Sequence, residues 1–281
     1  MNLDSLVVLR GGGDLGTGVA HRLVRAGYRV VVLESAAPRA VRRRVAFAEA
    51  VFGGEVTVEG VTARKIDVSE ARAVLAGGRE QPGDGRGGAP YVPVVVDPDG
   101  ACIKDLKPAV VVDARMAKRN PGTRRDDAPL TVALGPGFVA GRDVDLVVET
   151  KRGHSLGSVI EEGAALPNTG VPGRVGGATA RRLLRSPADG EFSSSRSIGD
   201  IVVEGDEVAS VAGKPVMAAV DGIVRGLIAD GLPVREGEKV GDVDPRGGEI
   251  DPGAISDKAR AVGGAVLEAL LSRGMLPGAA G

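Results

Sequence analysis

Aromatic residues, cysteine and histidine are scarce in this chain of 281 residues. With two tyrosines, four phenylalanines and no tryptophan, the core must be aliphatic, and single-stranded nucleic acid finds few rings for base stacking. One cysteine excludes an internal disulfide and a cysteine-based zinc site, and two histidines exclude a three-histidine metal site. The cysteine, Cys102, has no activating neighbour beyond Lys104, so we expect an unreactive thiol and no resident metal.

A membrane signature and a strong net charge are also missing. The first residues carry no basic segment before the apolar run, and no segment approaches about 18 consecutive apolar residues. The formal net charge of −1 argues against a general electrostatic DNA binder. The sequence therefore predicts a cytoplasmic protein with no membrane partner and no nucleic-acid partner.

Short runs of β-branched residues alternate with helical patterns in the first part of the chain. Residues 5–10 and 29–33 predict buried strands, and the helical pattern between them completes a β-α-β unit. Further along, residues 202–208 align with residues 234–240 at an offset of 32, which indicates two similar β-turn-β units. A final helix is predicted from Ser256 because apolar residues recur there at every fourth position.

The predicted fold class is α/β, with a Rossmann-like parallel sheet domain, a small β barrel-sandwich module and a C-terminal helix. We place the Rossmann-like domain at residues 1–185, the β module at 186–250 and the C-terminal helix at 251–281. The β module resembles the barrel-sandwich domains that carry biotin or lipoate. Neither Lys214 nor Lys239 sits in the Met-Lys-Met-like turn that is modified in those carriers, so we expect an unmodified scaffold.

The strongest motif is Gly11-x-Gly13-x-x-Gly16, which follows a predicted strand and opens a helix. Glycines let a backbone approach a pyrophosphate, and the amides of a helix N-terminus attract the anion. Glu34, at the end of the next strand, is placed to accept hydrogen bonds from a ribose 2′-hydroxyl. Asp14 would repel a phosphate unless it points away or meets a cation. The alternative is a tight strand-to-helix turn without a ligand.

Two further groups of residues follow predicted strands, where open α/β sheets bind ligands. The first comprises Lys118, Arg119 and Asn120, and the second comprises the glycines Gly135 and Gly137. Cations beside glycine loops favour an anionic ligand, so we add both groups, together with the glycine motif, Asp14 and Glu34, to the predicted cofactor-binding residues. The alternative for each group is an ordinary loop.

His154 is the predicted catalytic residue. A histidine beside Lys151 and Arg152 is suited to act as a general acid or to donate to an anion, and the alternative is a structural histidine in a loop. The segment Gly153-His154-Ser155-Leu156-Gly157 matches the GxSxG nucleophile elbow. No histidine follows Ser155 as the hydrolase fold requires, so we exclude that reaction.

Segments along nearly the whole chain resemble the selenium-dependent molybdenum hydroxylase system proteins, the group that includes the bacterial YqeB-type proteins. The matching segments are RGGGDLGTGVAHRL (10–23), RRRVAFAEAVF (42–52), VDARMAKRN (112–120), APLTVALGPGFVAGRDVDLVVETKRGH (128–154), NTGVPG (168–173), VRGLIADG (224–231), KVGDVDPR (239–246) and ISDKARAVGGAVLEALL (255–271). Ser158 stands where the family pattern GHxLGR has an arginine.

The resemblance implies a role in the maturation of molybdenum hydroxylases that carry labile selenium. From it we expect an accessory protein that binds a nucleotide or the molybdenum cofactor at the glycine-rich loop. Its expected partners are the hydroxylase or its cofactor-insertion machinery, together with a small anionic ligand. Two alternatives stay open, an NAD(P)-dependent oxidoreductase and a docking scaffold without catalysis, so the candidate cofactors are NAD(P) and a molybdenum-cofactor nucleotide.

Overall fold

The computed structural model describes residues 6–76, 91–168 and 179–277, and most of the NTGVPG segment lies outside these ranges. The chain divides into two compact units. The first comprises Met1–Ala36, Ala46–Asn168 and Ile255–Gly281, and the second comprises Ala37–Val45 and Thr169–Ala254. The predicted boundaries near residues 185 and 250 follow the order of the sequence, whereas the second unit also takes in residues 37–45.

Short strands and two longer helices build the first unit. The strands are β1 (Leu6–Arg10), β2 (Arg29–Glu34), β3 (Glu55–Val58), β4 (Val61–Lys65), β5 (Tyr91–Val96), β6 (Val110–Asp113), β7 (Leu130–Leu134), β8 (Val139–Ala140), β9 (Leu146–Val148), β10 (Val159–Ile160) and β11 (Gly163–Ala164). The helices are α1 (Asp14–Arg25), α2 (Ala50–Gly53), α3 (Val68–Ala76), α4 (Ile103–Leu106) and α5 (Asp257–Ser272).

A mixed sheet organises the described part of the first unit. Its nine strands have the order β10-β9-β7-β6-β1-β2-β5-β4-β3 in the described residues. All pairs from β9 across to β4 are parallel, whereas the pairs β10–β9 and β3–β4 at the two edges are antiparallel. The central strand β1 is buried along its whole length, as is typical of a strand that is covered on both faces.

The prediction of a Rossmann-like parallel sheet domain with a β barrel-sandwich module is wrong. The large sheet is mixed, and the described residues of the second unit form two further antiparallel sheets. Runs of β-branched residues predicted strands but not their direction, which depends on the connection. Between β3 and β4 the connection is Glu59 and Gly60, with φ values of 44° and 81°, and so short a turn joins only antiparallel strands.

The C-terminal helix α5 is present and begins where the sequence indicated. Ser256 caps it by accepting a hydrogen bond from the Ala259 amide at 3.2 Å. The helix packs closely on α1, because a methyl group on Gly263 would lie 2.6 Å from the Gly18 carbonyl oxygen and only glycine permits that approach. No helix in the described residues has both the length and the apolar composition needed to cross a membrane.

The second unit consists of short antiparallel strands. They are β12 (Leu183–Arg185), β13 (Gly190–Ser194), β14 (Ile201–Val202), β15 (Glu207–Val211), β16 (Lys214–Met217), β17 (Gly222–Leu227), β18 (Pro233–Val234) and β19 (Lys239–Asp244). They form one sheet in the order β12-β19-β17-β14 and another in the order β16-β15-β13-β18.

The two sheets of the second unit correspond strand by strand. An offset of 32 residues converts the starts of β13, β14 and β15 into those of β17, β18 and β19. The turn glycines correspond as well, since Gly205 and Gly237 have φ values of 94° and 77°. Equivalent side chains of the two sheets, such as Phe192 and Val224, belong to one buried cluster. The internal repeat seen in the sequence is therefore present in the structure as a duplicated sheet.

Candidate functional site

The glycine loop, residues 11–13, joins β1 to α1 at the carboxyl end of the central strand. Gly11 has a φ of 98°, and a methyl group there would lie 3.1 Å from Arg115. A methyl group on Gly16 would lie 2.1 Å from the Gly11 carbonyl oxygen, so both positions require glycine for packing. Gly13 differs, because a methyl group there would meet no atom within 4 Å. The space in front of Gly13 is open.

The N-terminus of α1 faces this open space. Gly13 is the N-cap residue, and no side chain caps the helix. The first amides of an α-helix have no partner within the helix, and the helix dipole adds a partial positive charge, so this end favours an anion. Asp14 contributes a carboxylate to the same turn. An anionic ligand here therefore requires a cation close to Asp14.

Lys258, on α5, is that cation. Its pKa is lowered because burial removes water from the amine, and Asp14 is the strongest of the charges that oppose this shift. Within the described residues its amine makes no hydrogen bond and no ion pair. The sequence did not predict this residue, because it lies on the last helix of the chain and reaches the loop only through the packing of α5 on α1.

Glu34 fastens the glycine loop to β2. Its Oε2 accepts a hydrogen bond from the Gly12 amide at 2.8 Å, and its Oε1 accepts one from the Ser35 amide at 2.7 Å. The carboxylate thus has a structural task in the loop. Each oxygen keeps a further lone pair, and the predicted ribose contact stays a prediction.

A segment after β2 closes one side of the loop. The Ala48 amide donates to the Gly12 carbonyl oxygen at 2.9 Å. The buried Thr17 hydroxyl donates to the same oxygen at 3.1 Å and accepts from the Phe47 amide at 2.8 Å. These bonds are made within the protein itself, so the loop is preorganised rather than shaped by a ligand.

The cations predicted after β6 lie in an exposed loop. Asn120 binds the backbone of that loop, since its Oδ1 accepts from the amides of Gly122 and Thr123. This is a turn-forming role, and a ligand contact for Asn120 stays a prediction. In the part of the chain that the structure describes, Lys118 and Arg119 have neither a side-chain hydrogen bond nor an ion pair.

The loops after β6 and β7 pack against each other through two glycines. Gly135 and Gly137 have φ values of 70° and 113°. A methyl group on Gly137 would lie 2.4 Å from the Arg119 amide nitrogen, and one on Gly135 would lie 2.5 Å from the Thr150 hydroxyl. Packing alone therefore requires both glycines. Their closeness places Lys118 and Arg119 beside the end of β7.

A buried charged network lies beneath these loops, and sequence reasoning missed it. Arg10, at the end of β1, donates to the Thr123 hydroxyl at 2.8 Å and to the Asp99 carbonyl oxygen at 2.9 Å. Asp113, at the end of β6, accepts from Thr123 at 2.6 Å and pairs with Arg115 at 2.5 Å. The sequence signal that could have revealed this network is a charged residue at the end of an apolar strand, as at Arg10 and Asp113. The network ties the loop after β6 to the glycine loop.

His154 lies in the exposed loop that follows β9. Its neighbour Arg152 pairs with Asp257, the first residue of α5, at 2.5 Å. The loop thus reaches the residue next to Lys258. No hydrogen bond orients the imidazole within the described residues, and the catalytic role of His154 stays a prediction.

Cys102 is buried, and its pKa is raised to about 12, first by burial and then by Asp97. The thiol is therefore protonated at neutral pH, as expected for an unreactive cysteine. The Asp97 carboxylate accepts from the amides of Gly100, Ala101 and Cys102. Among the described residues no group of three histidine, cysteine, aspartate or glutamate side chains is arranged to hold a metal ion.

Sequence comparison gives a long match. No protein-family model matches the chain. The chain is 52% identical over 266 residues to the "Uncharacterized protein YqeB" of Escherichia coli (strain K12). The match covers 95% of this chain and 47% of that protein, so the chain spans about half the length of the curated relative that it matches.

Solved structures give only weak matches. An aspartoacylase family protein from Mesorhizobium loti is 15% identical with a TM-score of 0.27, and the match covers 85% of this chain and 84% of that one. A succinylglutamate desuccinylase/aspartoacylase from Rhodobacter sphaeroides is 18% identical with a TM-score of 0.26 and the same coverage. Likeness at this level carries no conclusion about fold or chemistry.

Proposed function

The chain belongs to the YqeB-type proteins over the part of them that it spans, and we propose that it is an accessory protein in the maturation of selenium-dependent molybdenum hydroxylases. In this proposal the glycine loop binds a nucleotide or the molybdenum cofactor as cargo. The observation that carries it is the open space at Gly13 in front of the uncapped N-terminus of α1.

The groups around the loop fit a pyrophosphate. The first amides of α1 supply N–H donors that point at the open space. Lys118, Arg119 and Lys258 supply positive charge without an ion pair to a described residue. Gly13 leaves room for phosphate oxygens to approach the backbone. Lys258 also offsets the carboxylate of Asp14, which otherwise disfavours an anion.

An NAD(P)-dependent oxidoreductase receives less support. Glu34, which would favour NAD over NADP, already binds two amides of its own surroundings. The Tyr28 hydroxyl donates to the Met275 carbonyl oxygen at 2.6 Å. Its proton is therefore already engaged in a hydrogen bond and does not serve as a proton donor at the loop. The Tyr91 ring is buried and lies beneath the Arg64 guanidinium, with 4.6 Å between the ring centre and the guanidinium carbon.

A docking role is favoured by one observation on the second unit. Three large apolar side chains are exposed there, Ile201, Val203 and Met217. Exposed apolar side chains mark a surface that binds another protein when they form a contiguous patch. We propose that the hydroxylase or its cofactor-insertion machinery contacts this unit while the first unit holds the cargo.

Gly13→Asp tests the cargo site. Aspartate is a favourable N-cap residue and its side chain enters open space, so the variant is expected to fold. Its negative charge repels a phosphate group at the same place. Affinity for molybdopterin dinucleotides, CTP, ATP and NAD, measured by thermal shift and calorimetry, should fall at least about tenfold for the ligand that binds.

Gly53→Asp is the matched control, because Gly53 is exposed and a side chain there also meets no atom within 4 Å. This control should bind like the unmodified protein. Equal binding by Gly13→Asp and Gly53→Asp would contradict the site. Retained hydroxylase activation in cells that carry only Gly13→Asp would contradict the proposed role.

A further inference from the structure

A cavity lies beside the C-terminal half of α1, away from the glycine loop. Its volume is about 390 Å³. α1 provides His21, Arg22 and Arg25, the turn between β3 and β4 provides Glu59, and α5 provides Arg260. All of these belong to the first unit. Most side chains that line the cavity are therefore charged or polar, and Ile255 adds an apolar one.

The positive charges of this cavity exceed its negative charge. Three arginines face one carboxylate. Arg260 pairs with Glu59 at 2.6 Å. Arg22 and Arg25 are three residues apart on α1 and therefore share a face. Neither of them has a side-chain hydrogen bond or an ion pair in the described residues.

Glu59 is held by its own neighbours. Its Oε1 accepts from the Ile255 amide at 2.9 Å and from Arg260 at 2.6 Å. Burial raises the pKa of Glu59, but these hydrogen bonds outweigh burial and hold the pKa below its usual range. The carboxylate is therefore ionised at neutral pH and committed to Arg260. The positive charges of Arg22 and Arg25 therefore have no carboxylate partner among the described residues.

His21 completes the wall of the cavity. The side chain is 8% exposed, and its Nε2 lies 3.3 Å from the Glu59 carbonyl oxygen. This contact fixes the ring beside the two arginines on the same helix. The cavity is therefore lined by the held imidazole of His21, by the Glu59–Arg260 pair and by two guanidinium groups that have no ion pair in the described residues.

We propose that this cavity binds a phosphate ester or diphosphate of a small molecule through Arg22 and Arg25. Guanidinium groups present paired N–H donors that match phosphate oxygens. The volume of about 390 Å³ is within the range of small-molecule sites. The site is separate from the glycine loop, so it does not depend on the function proposed above.

Arg22 and Arg25 also affect the stability of the protein, and the test must separate this effect from ligand binding. Both lie in the last turn of α1, where a positive charge is favourable to the helix dipole. Their removal is therefore expected to lower the stability of the protein slightly. Binding and thermal unfolding must be measured on the same variants.

The test uses inorganic pyrophosphate as the probe and the full chain in the Gly13→Asp background, which removes the glycine loop as a competing site. Calorimetry should detect binding in this background. Arg22→Gln combined with Arg25→Gln should weaken it at least about tenfold. The control is Arg142→Gln, which removes one positive charge, compared with two in the double variant, from a side chain that is 72% exposed and pairs with Asp143, and it should change nothing.

A variant that is expected to strengthen pyrophosphate binding provides a second test in case the double variant folds poorly. Glu59→Gln removes the carboxylate that lines the cavity and pairs with Arg260, so pyrophosphate should bind roughly threefold more tightly or better. Citrate serves as a polycarboxylate comparison and should bind more weakly than pyrophosphate.

Several outcomes would overturn the proposal. One is the absence of pyrophosphate binding in the Gly13→Asp background. Another is an equal loss with Arg142→Gln, which would show attraction to general positive charge only. A double variant that lowers the unfolding temperature but keeps its affinity would assign the arginines to the helix terminus alone. Stronger binding of citrate than of pyrophosphate would contradict a phosphate site.

Discussion

Three arginines of the second unit converge on two buried aspartates, whereas three cations at the carboxyl edge of the first unit's sheet have no ion pair among the described residues. In the second unit, Arg182 and Arg225 reach Asp242 at 2.7 and 2.5 Å, and Arg246 reaches Asp244 at 2.8 Å. Each buried carboxylate there is compensated by groups of the same unit. These charges therefore serve the stability of the fold.

At the sheet edge of the first unit, Asp113 is compensated by Arg115, but three cations have no ion pair in the described residues. Lys118 and Arg119 are exposed and unpaired, and Lys258 is partly buried without an ion pair, all within the described residues. Lys258 loses solvation on burial, and Asp14 is the strongest of the charges that offset this loss. This difference supports the proposal that the sheet edge of the first unit binds an anion.

The largest effect on stability is expected when the buried charged cluster of the second unit is broken. Asp242→Asn removes the buried carboxylate that Arg182 and Arg225 share, although Arg225 keeps Asp244 at 3.2 Å, and should lower the free energy of unfolding by about 3–5 kcal/mol. Asp126→Asn is the control, because Asp126 pairs with Arg124 at the surface and its loss should have a much smaller effect on stability. Denaturant unfolding measures both. Similar losses would remove the distinction between the two kinds of ion pair.

A smaller loss is expected on acidification. Burial raises the pKa of Asp242, but Lys239 and Arg225 outweigh it, so the pKa in the folded protein lies below the value in the unfolded chain. Such a group stabilises the fold above the unfolded pKa of about 3.9, and that contribution is lost as the pH falls through the folded pKa. Unfolding followed from pH 7 to acid should show this loss. Asp242→Asn should flatten the curve, and an unchanged curve would contradict the assignment.

The next prediction distinguishes two glycines of the Gly11-x-Gly13-x-x-Gly16 motif. Gly16→Ala places a methyl group 2.1 Å from the Gly11 carbonyl oxygen and should destabilise the protein by about 1–3 kcal/mol. Gly13→Ser enters open space and supplies a favourable N-cap, so it should leave the unfolding temperature unchanged or slightly higher. Equal destabilisation by the two variants would mean that Gly13, too, is required for packing.

The smallest expected effect on stability is at the sheet edge. Lys118→Gln combined with Arg119→Gln removes no hydrogen bond or ion pair made by the described residues, and the free energy of unfolding should change by less than about 0.5 kcal/mol. A larger loss would show that these cations belong to the fold. The same variant should weaken the binding of a phosphate-bearing ligand.

Local sequence signals predicted local structure well. Ser256 followed by apolar residues at every fourth position predicted the start of α5, and the observed cap has that geometry. The alignment of 202–208 with 234–240 predicted the repeated strand pairs, because the same turn glycine recurs at the same offset. Both signals lie within a few residues of the feature that they describe.

Features that depend on distant parts of the chain were not predictable in this way. The alternation of apolar residues does not reveal that Glu59 and Gly60 form a two-residue turn between the antiparallel strands β3 and β4. Without this turn, the large sheet was taken as parallel. Lys258 reaches the glycine loop only because Gly18 and Gly263 let α5 pack closely on α1. No local pattern around Lys258 indicates that approach.

The most direct test of an anion site at the sheet edge is native mass spectrometry of the freshly purified protein beside Gly13→Asp and Gly53→Asp. We expect a phosphate-bearing nucleotide or pterin to stay bound to the unmodified protein and to Gly53→Asp, and we expect Gly13→Asp to carry none. A ligand retained equally by all three proteins, or a protein that neither carries nor takes up such a ligand, would contradict this expectation.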